Sequence, residues 1–335
     1  MPTTVAVLGA GSWGTALAVH LSRVGHDVRL WARDQALVDD MVARRANVVY
    51  LPDVTLPDAV SVTHDLARAL EGAALVICAV PSHGCRAVLR RAAPHLIGRA
   101  SIVSTTKGLE PATHLRVSQV IAEEVGPEHA VVVLSGPSFA GEVAQQLPTA
   151  VLAASVDARA TEIVQAEFRG PFFRLYASDD VVGVEIGGAM KNVIAIAAGV
   201  VEGLGLGHNA LAALITRGLA EITRLACAAG GRRDTLAGLS GLGDLVLTCT
   251  GTLSRNRHVG AELARGRKLS DVVAGMKMIA EGVQTTGAVL ALGERYDVEL
   301  PITTQMAEVL SGRLDVRSAV ETLMLRRQRA EAETQ

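Results

Sequence analysis

The sequence predicts an α/β fold in its N-terminal part, with a doubly wound, mostly parallel sheet, followed by an all-α C-terminal domain. Three observations support this division. Short runs of β-branched and apolar residues are each followed by turn residues, a glycine-rich turn separates the first strand from the first helix, and no convincing strand remains after Asp180. At 335 residues the chain is long enough for two domains that each bury a core. We therefore expect a first domain over residues 1–182 and a second over residues 183–335.

The N-terminal segment has the pattern of a nucleotide-binding unit. It contains, in order, a predicted strand over Thr4–Leu8, the turn Gly9-Ala10-Gly11-Ser12-Trp13-Gly14, a helix over Thr15–Val24 and a strand over Val28–Ala32. Strand, G-x-G-x-x-G, helix and strand in this order are typical of a Rossmann-like dinucleotide site. Gly9 would make the tight turn, Gly11 would let a pyrophosphate approach the backbone, and Gly14 would let the helix pack on the strand. We predict that this turn binds a dinucleotide cofactor at the helix N-terminus.

The residues after the second strand bear on the choice of cofactor. An acidic side chain there holds the ribose 2′-hydroxyl of NAD, whereas an arginine pairs with the 2′-phosphate of NADP. Arg33 occupies about that position, which favours NADP(H), but Asp34 follows directly and leaves NAD(H) open. The alternative for both residues is a solvated pair of loop charges. We therefore expect NADP(H), NAD(H) or both as cofactor.

Further apolar runs are predicted to extend the sheet, at Ala74–Val80, Ser101–Thr106 and Ala130–Leu134, with two more strands at 150–155 and 172–177 around a helix near 161–168. Continuous β-branched runs indicate strands that are buried on both faces, as in a parallel sheet. Ligands of such sheets bind beyond the carboxyl ends of the strands. Lys107 and the segment Ser135–Ala140 follow two of these strands, so we predict that they line a ligand site.

The second domain is predicted to begin with a helix that carries a lysine on an unusual face. Gly187, Gly188 and Lys191 share one side of this helix with small apolar residues, at helical spacing. Only four of the 32 Lys and Arg residues are lysines. We expect Lys191 to be buried or to face a cleft, where its pKa can move towards neutrality. The two glycines would leave bare backbone on which a flat ring could lie. The helices of this domain are expected at about 183–202, 209–229, 255–265, 281–296, 301–311 and 315–327.

A second stretch of the helical domain differs from its surroundings. Asp244 is the only charged residue in the segment 239–250, so it either caps a helix or serves as a site carboxylate. Ser254 is placed to cap the next helix, whose first residues are Arg255 and Asn256. A capped helix N-terminus with an arginine and an amide favours an anion such as phosphate. A merely solvated Arg255 would oppose the helix dipole.

Composition narrows the class of protein. The formal net charge is −2 and the arginines form no basic block, which argues against a general nucleic-acid binder. The four cysteines lie far apart without metal-ligand spacing and the histidines are dispersed, so we expect reduced thiols and no metal. The first apolar run has only strand length, no basic segment precedes it, and no long apolar stretch predicts a membrane span. We expect a cytoplasmic protein without membrane insertion.

Four motifs occur in order along nearly the whole chain: Gly9–Leu17, Leu134–Ala140, Lys191–Gly199, and Gly241–Leu245 with Ser254-Arg255-Asn256. Together they resemble the bacterial NAD(P)-dependent glycerol-3-phosphate dehydrogenases. The resemblance implies interconversion of sn-glycerol 3-phosphate and dihydroxyacetone phosphate, and a role in supplying glycerol 3-phosphate for phospholipid synthesis. It also implies a small phosphorylated substrate as partner, a cytoplasmic location and a homodimer.

The resemblance further implies roles for individual residues, carried over by position. Lys191 would be the catalytic acid or base. The substrate would contact Lys107, Gly136, Ser138, Lys191, Asp244, Ser254, Arg255 and Asn256. Besides the turn glycines Gly9, Gly11 and Gly14, the cofactor would contact Ser12, Trp13, Arg33, Lys107, Ala140, Arg255, Ile279 and Glu281.

Two alternatives remain open from the sequence. One is another two-domain dehydrogenase with a helical-domain lysine, of the 3-hydroxyacid or ketopantoate reductase type, against which the phosphate-binding pattern of residues 254–256 argues. The other is a non-catalytic nucleotide sensor, against which the intact Lys107, Lys191 and Asp244 argue. The preference between NADPH and NADH, feedback inhibition, the oligomeric state and the protonation state of Lys191 at neutral pH are left open.

Overall fold

The computed structural model describes residues 3–276, 278–328 and 330 of the chain. Its strands are β1 (Thr4–Leu8), β2 (Asp27–Trp31), β3 (Ala46–Asn47), β4 (Leu51–Thr55), β5 (Val60–Thr63), β6 (Leu75–Cys78), β7 (Ser101–Ser104), β8 (Ala130–Ser135), β9 (Thr149–Ala154) and β10 (Phe173–Ser178). Its helices are α1 (Ser12–Arg23), α2 (Gln35–Arg44), α3 (Leu66–Leu70), α4 (Ser82–Ala92), α5 (Val117–Val125), α6 (Ala140–Ala144), α7 (Ala158–Phe168), α8 (Val181–Gly203), α9 (Gly207–Ala228), α10 (Arg233–Ala237), α11 (Asp244–Thr250), α12 (Arg255–Ala264), α13 (Leu269–Ala274), α14 (Glu281–Arg295), α15 (Pro301–Leu310) and α16 (Val316–Met324). A π-helical turn, Leu239–Gly243, precedes α11.

The main sheet contains eight strands in the order β10-β9-β8-β7-β6-β1-β2-β5. Its neighbouring strands are parallel except for β8 and β9, which are antiparallel. The predicted mostly parallel α/β sheet followed by a helical C-terminal part is confirmed. The reversal at β9 was not predicted, because an apolar run indicates burial and not strand direction. The carboxyl ends of β1, β6, β7 and β8 lie along one edge of the sheet.

Helices cover both faces of the sheet. Along β1, Val5 and Val7 belong to the apolar cluster that includes α1, whereas Ala6 and Leu8 belong to the cluster that includes α4 and α5. All four side chains are fully buried. Burial on both faces is the reason that this strand is a continuous apolar run rather than an alternating one.

A small antiparallel hairpin, β3 and β4, follows α2 and was not predicted. Leu51, Val54 and Leu56 anchor it in the core beneath α1. The backbone carbonyl of Tyr50 at its tip accepts a hydrogen bond from Ser12 Oγ at 2.7 Å, so the hairpin lies against the glycine-rich turn. β3 has only two residues, and the exposed Pro52 and Asp53 interrupt β4, so neither strand shows a recognisable hydrophobic period.

Helix α8 is the central element of the helical part. It packs against α9, α11, α12 and α14, and every residue in 183–201 is buried. Contact with α12 is close because a Cβ at Gly199 would overlap the Arg257 carbonyl and a Cβ at Gly260 would overlap the Ile196 carbonyl. By length and composition α8 could cross a membrane, but 89% of its most apolar window is buried inside this structure. Its apolar character is therefore accounted for by its place in the core.

The first turns of α8 are fixed against the sheet. Val184 packs on Val133 of β8. The buried Glu185 carboxylate accepts hydrogen bonds from Arg116 Nη1 at 2.6 Å and from the Ser118 backbone N–H at 2.8 Å, at the start of α5. These contacts bring Lys191, about two turns further on, to the carboxyl-end edge of the sheet.

Candidate active site

The glycine-rich turn has a geometry that suits a dinucleotide. Gly9 has a φ of 112°, and a Cβ there would lie 2.6 Å from the Ala79 carbonyl oxygen. A Cβ at Gly14 would overlap the Gly9 carbonyl, so α1 packs directly on the turn. Apart from Gly11 itself and its two chain neighbours, no atom lies within 4 Å of the Cβ position at Gly11, which leaves room for a ligand against the backbone. Helix α1 begins at Ser12 without an acidic side chain in its first turn, so these residues fit a bound pyrophosphate.

Arg33 and Asp34 have different roles after β2. The Asp34 side chain caps α2 by accepting a hydrogen bond from the Ala36 N–H at 2.9 Å. Arg33 is exposed and has no hydrogen-bond or ion-pair partner within the described residues. Asp34 therefore has a structural role that needs no cofactor, whereas the Arg33 guanidinium is available for a phosphate.

Lys191, Lys107 and Asp244 converge where α8 meets the end of β7. Asp244 is fully buried; its Oδ1 accepts from Lys191 Nζ at 2.6 Å and its Oδ2 accepts from Lys107 Nζ at 2.7 Å. Of the two readings of Asp244, this geometry favours the site carboxylate over the helix cap. Two ammonium groups and one carboxylate leave a net positive charge, which attracts an anionic substrate.

Lys191 keeps one donor for a ligand. Its side chain is 8% exposed, and its Nζ also donates to Thr248 Oγ1 at 2.7 Å. A protonated lysine has three N–H donors, so one is left after the bonds to Asp244 and Thr248 among the described residues. Burial lowers the pKa of Lys191 to about 8; Asp244 opposes this shift and Lys107 adds to it. An ammonium that titrates near neutral pH is suited to proton transfer.

The turn after β8 surrounds the Lys107 side chain. Lys107 Nζ donates to the Gly136 carbonyl at 2.7 Å and lies 3.5 Å from Ser138 Oγ. Ser138 Oγ donates to the same carbonyl at 2.9 Å. Gly136 has a φ of 132°, and a Cβ there would lie 3.0 Å from Val151 Cα, so a side chain at this position would strain the turn. The structure thus brings these three predicted substrate residues together.

Helix α12 presents a capped N-terminus. Ser254 Oγ accepts from the Arg257 N–H at 3.3 Å, so its own proton is free to be donated to a ligand. Arg255, the first residue of α12, is exposed and has no hydrogen-bond or ion-pair partner in the part of the chain that the structure describes. The cap, the helix dipole and the unpaired guanidinium together suit a phosphate.

Asn256 belongs to a chain of buried amides that leads to Lys107. Its Oδ1 accepts from the Gly282 N–H at 3.0 Å, and its Nδ2 donates to Asn192 Oδ1 at 2.9 Å. Asn192 Nδ2 in turn donates to the Lys107 carbonyl at 2.9 Å. These bonds leave Asn256 one Nδ2 proton for a ligand, and they fix the backbone of Lys107 relative to α8 and α12.

Two residues of this site were missed in the sequence analysis. Thr248 binds the ammonium of Lys191, and Asn192 bridges Asn256 and Lys107. A signal was available for each: Thr248 lies one helical turn after Asp244, and Asn192 is a polar residue beside Lys191 in an apolar helix.

The remaining predicted cofactor residues lie around this edge of the sheet. Trp13 and Ala140, near the starts of α1 and α6, are half-buried and pack on the same core cluster. The Glu281 carboxylate, at the start of α14, accepts from Ser82 Oγ at 2.9 Å and from the Ser82 N–H at 3.3 Å. Burial raises the pKa of Glu281, and these bonds oppose the shift. Ile279 is 37% exposed, and its role stays a prediction.

The two glycines of α8 are covered by protein rather than bare. A Cβ at Gly187 would lie 2.9 Å from the Ser240 carbonyl oxygen in the π-helical turn, so the idea that Gly187 makes room for a flat ring is wrong. A Cβ at Gly188 would lie 3.0 Å from Ser135 Oγ and 3.6 Å from Lys107 Cγ. Both glycines allow close packing that places Lys191 and Asp244 beside each other.

Among the described residues, no group of three or more His, Cys, Asp or Glu side chains is arranged to hold a metal ion. The candidate site instead contains lysines, arginines, the carboxylates of Asp244 and Glu281, amides and hydroxyls.

Two family models match the chain. The model described as NAD-dependent glycerol-3-phosphate dehydrogenase N-terminus matches residues 4–161, and the model described as NAD-dependent glycerol-3-phosphate dehydrogenase C-terminus matches residues 180–321. The two matches together cover the main sheet except β10, and most of the helical part.

Individual relatives are similar over almost their whole length. A protein of Koribacter versatilis named glycerol-3-phosphate dehydrogenase (NAD(P)+) is 54% identical over 326 residues, which cover 96% of this chain and 97% of the relative. A protein of the same name from Syntrophotalea carbinolica is 51% identical over 330 residues, 98% of this chain and 99% of the relative. The crystal structure of glycerol-3-phosphate dehydrogenase from Coxiella burnetii is 42% identical with a TM-score of 0.94, and the match covers 97% of this chain and 99% of that one.

Proposed function

The chain belongs to the NAD-dependent glycerol-3-phosphate dehydrogenase family, and we propose how its own residues carry out the reaction. It is an NAD(P)-dependent oxidoreductase that interconverts sn-glycerol 3-phosphate and dihydroxyacetone phosphate. This activity is consistent with a role in glycerophospholipid metabolism. The observation that carries the mechanism is the buried Lys191–Asp244–Lys107 cluster, with bonds of 2.6 and 2.7 Å.

Lys191 is the proposed acid and base. The bound nicotinamide cofactor supplies or accepts the hydride at C2 of the substrate. In the reducing direction, the free N–H of the Lys191 ammonium donates to the C2 oxygen and gives it a proton. In the oxidising direction, neutral Lys191 takes the hydroxyl proton. A pKa of about 8 keeps both forms accessible near neutral pH, and such acid–base assistance contributes roughly 10²- to 10⁴-fold in rate.

Asp244 and Lys107 support this proton transfer. Asp244 binds both ammonium groups and so fixes the position of Lys191 Nζ. Lys107 adds positive charge beside the C2 oxygen, where negative charge develops during reduction. Lys107 Nζ also donates to the Gly136 carbonyl and lies 3.5 Å from Ser138 Oγ.

The substrate phosphate is proposed to bind at the start of α12. Ser254 offers a free hydroxyl proton, Arg255 an unpaired guanidinium, and Asn256 one amide proton. Charge-assisted bonds from a helix N-terminus and an arginine are strong and directional for phosphate. Binding the phosphate there would direct the three-carbon chain of the substrate towards Lys191.

The cofactor is proposed to lie along the carboxyl-end edge of the sheet. Gly9, Gly11 and Gly14, with Ser12 and Trp13, would bind its pyrophosphate region, and Arg33 would contact a 2′-phosphate. Lys107, Ala140, Arg255, Ile279 and Glu281 complete the proposed set of cofactor contacts.

We further propose the organisation that the resemblance implies. Residues 1–182 form the dinucleotide-binding domain and residues 183–335 the helical substrate domain. The protein acts in the cytoplasm as a homodimer without membrane insertion, and burial of α8 supports the last point. Light scattering after size-exclusion chromatography would measure the dimer; a monomer at all concentrations would refute it.

The deciding test is oxidation of NADPH and NADH with dihydroxyacetone phosphate as substrate, alongside ketopantoate and short 2-keto and 3-keto acids. Of these substrates, we expect only dihydroxyacetone phosphate to be turned over. Turnover of only a non-phosphorylated keto acid would favour the other reductase type. Cofactor binding without turnover of any substrate would favour a nucleotide sensor.

A further inference from the structure

We propose that Asn47, at the end of β3, is a positioning residue that aims the backbone N–H of Gly11 into the cofactor site. The inference rests on the proposed function only in that the glycine-rich turn binds a dinucleotide. Asn47 is outside the turn, 37 residues from Ala10 in sequence, and is fully buried.

Both Nδ2 protons and the Oδ1 of Asn47 make hydrogen bonds, and one of these bonds goes to the turn. Its Nδ2 donates to the Ala10 carbonyl at 2.9 Å and to Thr15 Oγ1 at 2.8 Å. Its Oδ1 accepts from the Tyr50 N–H at 3.2 Å. A single side chain therefore joins the turn, the first helical turn of α1 and the β3–β4 hairpin.

The bond to Ala10 sets the direction of the next donor. The Ala10–Gly11 peptide is trans, and in a trans peptide the C=O and N–H groups point in opposite directions. Because Asn47 holds the Ala10 carbonyl towards the hairpin, the Gly11 N–H points away from the hairpin. Apart from the chain neighbours of Gly11, no atom lies within 4 Å of its Cβ position, so the backbone that carries this N–H is open to a pyrophosphate.

Asn47 can hold this peptide firmly because the hairpin itself is anchored. Leu51, Val54 and Leu56 are buried in the sheet core. Ser12 Oγ donates to the Tyr50 carbonyl, which ties the hairpin to the helix start a second time. Without the Asn47 amide, the buried Ala10 carbonyl would lose its bond, and the Ala10–Gly11 peptide would be free to rotate. The donors at the α1 N-terminus would then have to be ordered when the cofactor binds.

The test is calorimetric titration of NADPH and NADH into wild type, Asn47→Ala and Asn47→Ser. Serine can still accept from the Tyr50 N–H but is too short to reach Ala10, so it supports folding if the alanine variant does not fold. Asn209→Ala, an exposed asparagine at the start of α9, is the matched control. Thr15→Val removes one Asn47 partner but keeps the Ala10 bond.

We expect the cofactor dissociation constant to rise about tenfold or more in both Asn47 variants, because donors that are misdirected lose much of their binding energy. At saturating cofactor, KM for dihydroxyacetone phosphate should match wild type. Asn209→Ala should bind as wild type, and Thr15→Val should lower the melting temperature without weakening cofactor binding.

Two results would contradict the proposal, and the experiment distinguishes between them. If wild type binds the dinucleotides and the Asn47 variants bind them equally well, Asn47 has only a structural role and the inference is wrong. If wild type binds neither NADPH nor NADH, the proposed function itself fails, and the inference fails with it.

Discussion

Asp244→Asn provides the sharpest test of the lysine–carboxylate cluster. The substitution preserves the shape of the side chain and one acceptor oxygen but removes the negative charge between Lys191 and Lys107. Asp244 raises the pKa of Lys191, whereas burial and Lys107 lower it. In the variant the largest raising effect is lost while both lowering effects stay, so the pKa of Lys191 must fall.

The size of the fall follows from the short ion pair. Opposite charges about 4 Å apart interact by about 4 kcal/mol at an effective dielectric constant of 20. One pKa unit corresponds to about 1.4 kcal/mol. Loss of even a third of that attraction lowers the pKa of Lys191 by about one unit, from about 8 to about 7.

The assay is the pH dependence of kcat/KM for dihydroxyacetone phosphate reduction, since this ratio reports groups of the free enzyme. Lys191 must be protonated to donate, so the wild-type rate should hold below about pH 8 and fall above it. In Asp244→Asn the alkaline fall should begin about one pH unit lower. The substitution should therefore lower kcat/KM for reduction more at pH 8 than at pH 6.5.

Asp234→Asn, an exposed residue of α10, is the matched control and should keep the wild-type profile. NADPH affinity and the melting temperature should be measured on the same preparations, so that misfolding is separated from a change in titration. An Asp244→Asn profile whose alkaline limb stays in place, or moves to higher pH, would refute the assignment of that limb to Lys191.

Four further predictions concern single side chains. Lys191→Ala should lower kcat by roughly 10²- to 10⁴-fold while NADPH affinity is retained. Lys268→Ala, at an exposed lysine, is the control. A near-normal kcat in Lys191→Ala would show that Lys191 is not the acid or base. Arg255→Ala should weaken substrate binding by about 1.5–3 kcal/mol, as for a bond to a charged group, and unchanged KM and phosphate inhibition would place the phosphate elsewhere. Arg33→Asp should shift the ratio of NADPH to NADH efficiency towards NADH, and an unaltered ratio would exclude contact with the 2′-phosphate. Gly187→Ala should lower the melting temperature, because its Cβ would lie 2.9 Å from the Ser240 carbonyl oxygen. A wild-type melting temperature would show that the π-helical turn can shift to accommodate the methyl group.

Much of the site was predictable because its signals are local. The glycine-rich turn occupies six consecutive residues between a strand and a helix, and Ser254 caps α12 as its position before that helix indicates. Lys191 was expected to be buried or to face a cleft, because the apolar face of a helix packs against the protein core. Its 8% exposure confirms that it is buried.

The missed features depend on contacts between distant segments. The bonds of Asn47 to Ala10 and of Asn192 to Lys107 form only when the chain has folded. The sequence near each residue does not indicate its partner. The role of Gly187 was misjudged for the same reason: a missing side chain is equally consistent with space for a ligand and with close packing of protein.

The sequence by itself determined the elements, their class and the family, because these depend on hydrophobic period, turn residues and short motifs. The tertiary structure decided which charges meet. It placed one carboxylate, Asp244, between two lysines that are 84 positions apart in the chain, and it buried this cluster against α8. The pKa of Lys191 depends on that burial and on those two charges, so it follows from the fold and could not be predicted from the residue alone.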